Sequence, residues 1–129
     1  QLRAARAARG PEARAVVLLA CGSFNPPTFM HLRMFELARH RLEAQGWVVL
    51  GGYLSPVNDG YQKPGLLPAA HRVEMCRRAA EGSDLIMVDR WEAAQPAWQQ
   101  TVDVVRHLHG FLNGPGAEGG LGLGATGEG

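Results

Sequence analysis

The chain has 129 residues, with 13 Lys and Arg against 12 Asp and Glu, and a formal net charge of +1. This length suits one domain, and the near-neutral charge argues against a nucleic-acid clamp, which would carry a strong basic excess. A hydrophobic content of 46% is typical of a globular protein. The sequence contains no apolar run of about 18 residues, the length that a membrane-spanning helix needs. Two cysteines, Cys21 and Cys76, are too few for a disulfide framework, so we expect a reducing compartment.

The two ends of the chain differ in composition from its middle. Residues 1–15 contain four Arg and one acid, which predicts a disordered Arg/Ala-rich leader or, alternatively, a mitochondrial transit peptide. Nine of the 17 glycines lie from Gly110 to Gly129, so residues 113–129 are predicted to form a disordered Gly-rich tail. The predicted globular domain therefore covers residues 16–112.

The first predicted elements are a strand and a helix. The continuous apolar run 16–20 predicts a strand that is covered on both faces. A helix is predicted from Phe29 to Gln45, with Thr28 as its N-cap and Gly46 as its stop. Its predicted inward stripe, widened by two further apolar residues, consists of Leu32, Met34, Phe35, Leu37, Ala38 and Leu42.

The rest of the domain continues the alternation of strands and helices. We predict a strand over 47–55, a loop over 56–67, a helix over 68–80, a strand over 85–88 and a helix over 96–112. The expected inward face of the last helix is Trp98, Val102, Val105, Leu108 and Leu112. This order predicts an α/β fold with a three-stranded parallel sheet and flanking helices. Such a half-fold binds a mononucleotide beyond the carboxyl ends of its strands.

The turn between the first strand and the first helix contains the residues that are best suited to bind a ligand. Gly22 allows a ligand to approach the main chain closely, and a helix start attracts anions through its free N–H groups. Thr28 and His31 are three residues apart, so both can face one phosphate, and a protonated histidine would bind it better. Nothing in this turn resembles a nucleophile with an activating base.

The segment GSFNPPTFMH, residues 22–31, resembles the signature of the nucleotidyltransferase superfamily. It is most similar to that of the animal nicotinamide/nicotinic acid mononucleotide adenylyltransferases, GSFNP-x-T-x-M-H. Further ordered blocks of resemblance, ending near residue 109, are HLRMFELA, SPVND, HRV, VDRWE and VVRH. The resemblance implies a Rossmann-like nucleotidyltransferase half-fold.

This resemblance also implies a reaction and its participants. The family transfers the AMP of ATP to nicotinamide or nicotinic acid mononucleotide, NMN or NaMN, giving NAD or deamido-NAD and pyrophosphate, with Mg²⁺ bridging the ATP phosphates. The implied catalytic residue is His31, and the implied binding residues are Gly22, Ser23, Phe24, Thr28, His31, Tyr61, Lys63, Trp98 and Thr101. The indole of Trp98 would stack on the cationic nicotinamide ring of the mononucleotide. No metal-ligating residues, nucleic acid or membrane are implied, and a homo-oligomer is possible.

For several residues a structural role is an alternative interpretation to the functional role. Core packing of Trp98 is nearly as good an interpretation as ring stacking, and Trp47 and Trp91 are predicted to be core or strand residues. Arg72 is expected to form a structural salt bridge. We expect His107 and His109 to be solvated at a helix end, and Cys21 and Cys76 to be small buried hydrophobes.

Two functional hypotheses remain open at this point. One is a mononucleotide adenylyltransferase, most like the mitochondrial isoform, with nuclear or cytoplasmic location as the alternatives. The other is a catalytically inactive truncated isoform that acts as a partial nucleotide-binding or regulatory module, since the family's second half, with its ATP-binding arginine, does not follow. On this basis we expect the polypeptide alone to make little NAD. A pantetheine-phosphate or FMN type of adenylyltransferase is disfavoured by Trp98 and the SPVND block.

Overall fold

The computed structural model describes residues 14–114, so nearly all of the predicted leader and tail lies outside the described residues. The described elements alternate between strands and helices, with one short 3-10 turn at Asp59–Tyr61. In chain order they are β1 (Arg14–Gly22), α1 (Phe29–Ala44), β2 (Trp47–Pro56), α2 (Ala69–Ala80), β3 (Ile86–Val88), α3 (Trp91–Ala94) and α4 (Thr101–Asn113).

The three strands form one parallel sheet in the order β1-β2-β3, as the sequence predicts. The register between β1 and β2 runs from Arg14 opposite Trp47 to Gly22 opposite Pro56, with one irregularity between Val16 and Val17. The short strand β3 pairs with the second half of β2. Because all three strands run the same way, their carboxyl ends lie at one edge of the sheet, where α/β folds bind ligands.

Helix α1 begins and ends where the sequence predicts. Thr28 is its N-cap, and Gly46 after its end has a φ of 88°, a left-handed conformation that suits glycine. Phe35 is buried in the core, and Leu32 and Leu42 pack against it. The predicted widening of this stripe is wrong, because Met34 and Leu37 are about half exposed. Those two side chains lie on the neighbouring face of the helix, beyond the contact with the sheet.

The prediction of the last helix is wrong in its start and in part of its buried face, although Leu108 is buried as predicted. Helix α4 begins at Thr101, because the backbone before it is extended at Gln100, and the separate short helix α3 precedes it. Its buried residues are Val104 and Leu108, whereas the predicted Val102 and Val105 are 45% and 47% exposed. No helix within residues 14–114 is long and apolar enough to cross a membrane.

Gly52 in β2 lies directly beneath a buried ring of α1. A Cβ atom at this position would come within 2.5 Å of two ring atoms of Phe35, a residue that is 3% exposed. We expect Gly52→Ala to lower the free energy of unfolding by about 1.5 kcal/mol, since an overfilled core forces side chains from their rotamers. Urea denaturation measures this loss. Gly82→Ala is the matched control, because nothing lies within 4 Å of its Cβ position; equal stabilities of the two variants would contradict the packing.

Candidate functional site

A pocket of about 210 Å³ opens at the carboxyl edge of the sheet. Six of the predicted site residues line it together: Gly22, Ser23, Tyr61, Lys63, Trp98 and Thr101. The other lining residues are Cys21, Val57, Glu92 and Gln99. Larger cavities of about 740 and 590 Å³ lie elsewhere, but the small pocket is the one that gathers the predicted groups. A few convergent polar side chains in a concave lining are one of the marks of a ligand site.

Three predicted site residues lie outside this lining. Phe24 is 2% exposed and packs in the core, with its ring about 3.3 Å from the position that a Cβ on Gly22 would take. Its ring also meets His31 edge-on, with the centroids 5.0 Å apart. Thr28 and His31 lie at the start of α1. Phe24 is therefore a core residue that packs against the turn. Its contact with a ligand stays a prediction.

The tautomer of His31 follows from its hydrogen bonds. The backbone N–H of Thr28 donates to Nδ1 of His31 at 2.8 Å, and Oγ1 of Thr28 lies 3.1 Å from the same atom. Because a backbone N–H can only donate, Nδ1 accepts and the ring proton lies on Nε2. The ring offers one N–H donor, at Nε2.

The loop that carries Tyr61 and Lys63 is tied to the segment that carries Trp98. The side-chain amide of Asn58 donates to the carbonyl oxygens of Glu92 and Gln95, at 3.1 and 2.7 Å. Its Oδ1 accepts from the N–H of Gly60 at 2.8 Å. A Cβ on Gly60 would lie 3.0 Å from the backbone nitrogen of Trp98, so a side chain at this position would force its neighbours to shift by a few tenths of an ångström. The indole of Trp98, 46% exposed, is thus held beside the loop, and its predicted alternative role in the core is wrong.

Arg72 connects three segments that surround the pocket. Its guanidinium is fully buried and donates to the carbonyl oxygens of Leu67 and Ser23, at 2.6 and 3.0 Å. It also pairs with Oδ1 of Asp59 at 2.9 Å. The predicted salt bridge is confirmed, and the arginine further connects the turn after β1 with both ends of the loop over 59–67.

Glu92 is a buried carboxylate in the pocket lining, and the sequence analysis predicts no role for it. The residue is 4% exposed, and the Ser55 hydroxyl donates to its Oε2 at 2.9 Å. Burial raises the pKa of Glu92 to about 6, with a further increase from Asp89, while Ser55 and Arg72 act against it. Its position just after β3, at the carboxyl edge, is the signal that could have identified it from the sequence.

Cys21 and His107 differ from their predicted surroundings. Cys21 is exposed and lines the pocket instead of packing as a hydrophobe. Desolvation and the carboxylates of Glu92 and Asp89 raise its pKa to about 11, so the thiol is neutral at pH 7. His107 stacks on Trp91 with centroids 4.3 Å apart, and its Nδ1 is buried without a partner among the described residues. It is therefore packed, whereas His109 is exposed as predicted.

Comparison with known proteins identifies similar sequences. Residues 19–111 match the sequence model of the cytidylyltransferase-like family. The chain is 61% identical over 97 residues to a nicotinamide/nicotinic acid mononucleotide adenylyltransferase of Arabidopsis thaliana, covering 75% of this chain and 41% of that protein. A protein of the same name from Oryza sativa subsp. japonica is 54% identical over 112 residues, with coverages of 86% and 45%.

The similarity also extends to an animal protein. Nicotinamide/nicotinic acid mononucleotide adenylyltransferase 2 of Danio rerio is 53% identical over 93 residues, which are 71% of this chain and 31% of that protein. The chain spans less than half the length of these curated relatives.

Proposed function

The chain belongs to the cytidylyltransferase-like family, and from this membership we propose that it acts in NAD biosynthesis as a nicotinamide/nicotinic acid mononucleotide adenylyltransferase. The proposed reaction joins the AMP of ATP to the 5′-phosphate of the mononucleotide. An oxygen of that phosphate attacks the α-phosphorus of ATP, and pyrophosphate leaves with the electrons of the broken P–O bond. The named relatives support this reaction for the family to which the chain belongs.

The pocket at the sheet edge is the observation that carries the proposal. Trp98 offers an aromatic face, which attracts a cationic pyridinium ring. Lys63 adds a positive charge and Ser23 a hydroxyl in the same lining, and both suit the phosphate of a mononucleotide. A flat cation with an anionic tail therefore matches the chemistry of this pocket.

His31 and the start of α1 are proposed to bind the phosphates of ATP. The Nε2–H donor and the helix start both favour negative charge, and they adjoin the turn that ends in the pocket. The attacking phosphate is already an anion, so the reaction needs no general base from the protein. In residues 14–114 no three His, Cys, Asp or Glu side chains gather as a metal site, so these residues do not form a Mg²⁺ cage.

Formation of NAD from NMN and Mg²⁺-ATP by the purified chain, even at the low rate that the sequence leads us to expect, tests the proposal. We expect His31→Ala to lower kcat/KM about tenfold, because one hydrogen bond to a charged phosphate is lost. The affinity for NMN should change less than about twofold, since His31 does not line the pocket. His109→Ala, an exposed histidine on α4, is the control and should match the unmodified chain.

The same assay separates the two hypotheses that the sequence leaves open. NAD formation that depends on His31 supports the adenylyltransferase. Saturable binding of NMN without any NAD formation would contradict it and support a nucleotide-binding module instead.

A further inference from the structure

Lys63 is the first residue of a tight turn in the loop over 59–67. The N–H of Leu66 donates to the carbonyl oxygen of Lys63 at 3.1 Å, and Pro64 and Gly65 lie between them. Gly65 has a φ of 78°. Proline followed by a residue with positive φ is the pattern of a type II turn, in which glycine adopts the left-handed conformation without strain. These four residues therefore form one short, rigid unit.

The side-chain amide of Asn25 holds this turn against the segment that follows β1. Its Nδ2 donates to the carbonyl oxygen of Gly65 at 2.9 Å, and its Oδ1 accepts from the N–H of Leu67 at 3.0 Å. The amide thus uses a donor and an acceptor at once on the loop backbone, as a neighbouring strand would. Arg72 binds the ends of the loop at Asp59 and Leu67, whereas Asn25 also reaches the turn between them.

The ammonium of Lys63 is available to a ligand. The side chain is exposed, and none of the salt bridges formed by residues 14–114 involves it. Lys63 lines the pocket together with Gly22 and Ser23, which precede Asn25 in the same turn. Because no acidic partner holds this flexible side chain, the position of its ammonium depends on where its backbone is fixed.

We propose that Asn25 is a positioning residue for the mononucleotide: through the turn that begins at Lys63, it holds the lysine where its ammonium binds the 5′-phosphate. This inference rests on the proposed function, because it assumes that the pocket holds a pyridine mononucleotide. Asn25 does not line the pocket, so its effect on the ligand passes through Lys63. A cation that is already in place loses less conformational freedom when the phosphate binds, and the affinity is higher for that reason.

Calorimetric titration with NMN of Asn25→Ala, Lys63→Ala and the double variant tests whether the two residues act together. Lys63→Ala is expected to weaken binding about tenfold, through loss of one charge-assisted hydrogen bond. Asn25→Ala is expected to weaken it about fivefold, since the ammonium remains but is no longer held. The double variant should then bind about tenfold more weakly than the unmodified chain, whereas independent effects would multiply to about 50-fold and overturn the proposal.

Nicotinamide riboside, which has the ring and ribose of NMN but no phosphate, separates positioning from structural support. Asn25→Ala should leave the affinity for this nucleoside unchanged, because the nucleoside gives Lys63 no phosphate to bind. A pocket that the substitution merely loosens would lose equal affinity for both ligands, and that result would overturn the proposal. Asn113→Ala is the matched control and should bind both ligands as the unmodified chain does, since this exposed asparagine donates to the carbonyl oxygen of His109 at the end of α4.

Gly65→Ala tests the role of the turn without altering Asn25. The added Cβ would meet nothing within 4 Å, so the substitution strains only the left-handed backbone at φ 78°. We expect weaker binding of NMN and unchanged binding of nicotinamide riboside. Unchanged affinity for NMN would show that the geometry of the turn does not place Lys63.

The outcomes distinguish this inference from the proposed function. If the unmodified chain binds NMN and Asn25→Ala binds it equally tightly, Asn25 positions no ligand-binding group and the proposed function stands. Failure of the unmodified chain to bind NMN would overturn both.

Discussion

Replacing Arg72 with Met is expected to lower the free energy of unfolding by about 3 kcal/mol, because loss of the buried guanidinium removes one hydrogen-bond donor from each of three oxygen atoms. Two of these are the carbonyl oxygens of Leu67 and Ser23, whose hydrogen bonds with Arg72 are partly buried. The third is the carboxylate of Asp59, which is 58% exposed and can be hydrated instead. That exposure places the expected loss at the lower end of the range for removing one partner of a buried pair.

Urea denaturation with a matched arginine measures this loss. Arg77→Met removes an exposed arginine from the same helix, where its ion pairs with Glu74 and Glu81 lie in solvent. Exposed pairs contribute about 0–1 kcal/mol, so this control should be close to the unmodified chain. If the two variants lose equal stability, Arg72 does not join the segments around the pocket.

Replacing Trp98 with Ala is expected to weaken the binding of NMN about 30-fold. Stacking of a flat ring on an aromatic side chain contributes roughly 1–3 kcal/mol when measured by alanine substitution, and the positive charge of the pyridinium adds a cation–π attraction. Stability should change little, because the indole is half exposed and precedes α4. The effect should therefore appear in the dissociation constant and not in the urea midpoint.

Two further variants show whether the aromatic face is the cause. Trp98→Phe keeps a smaller ring and should recover most of the lost affinity. Val102→Ala shortens another side chain of similar exposure in the first turn of α4, outside the pocket, and should bind NMN as the unmodified chain does. Equal affinity of the Ala and Trp forms at position 98 would show that the indole does not contact the ring.

The sequence predicts the parts of the fold that depend on local signals. The apolar run of β1, the turn after it and the capped start of α1 are all specified within residues 16–46, so their order follows from the pattern, although β1 extends two residues beyond the run at each end. The Rossmann-like α/β architecture then follows from the alternation of the elements. Six predicted site residues meet in one pocket because parallel strands end at the same edge.

The remainder depends on contacts between distant segments. The predicted start of α4 is wrong because the apolar spacing continues back to Trp98, while the backbone at Gln100 is extended and Trp98 packs against Gly60. Glu92 gives no local sign of burial, since its partner Ser55 is 37 residues away. A similar separation holds for Arg72 and Ser23, which are 49 residues apart. Propensity and periodicity describe neighbours along the chain, and tertiary packing overrides them at such positions.

The pocket beside Trp98 is proposed to bind a pyridine mononucleotide. Titration of the ¹⁵N-labelled chain with NMN, followed by the indole N–H signals of its three tryptophans, tests it most directly. We predict a saturable shift of the Trp98 signal and no shift of Trp47, which lies at the opposite end of the sheet. A Trp98 signal that stays unmoved at saturating NMN would show that this pocket does not bind the mononucleotide.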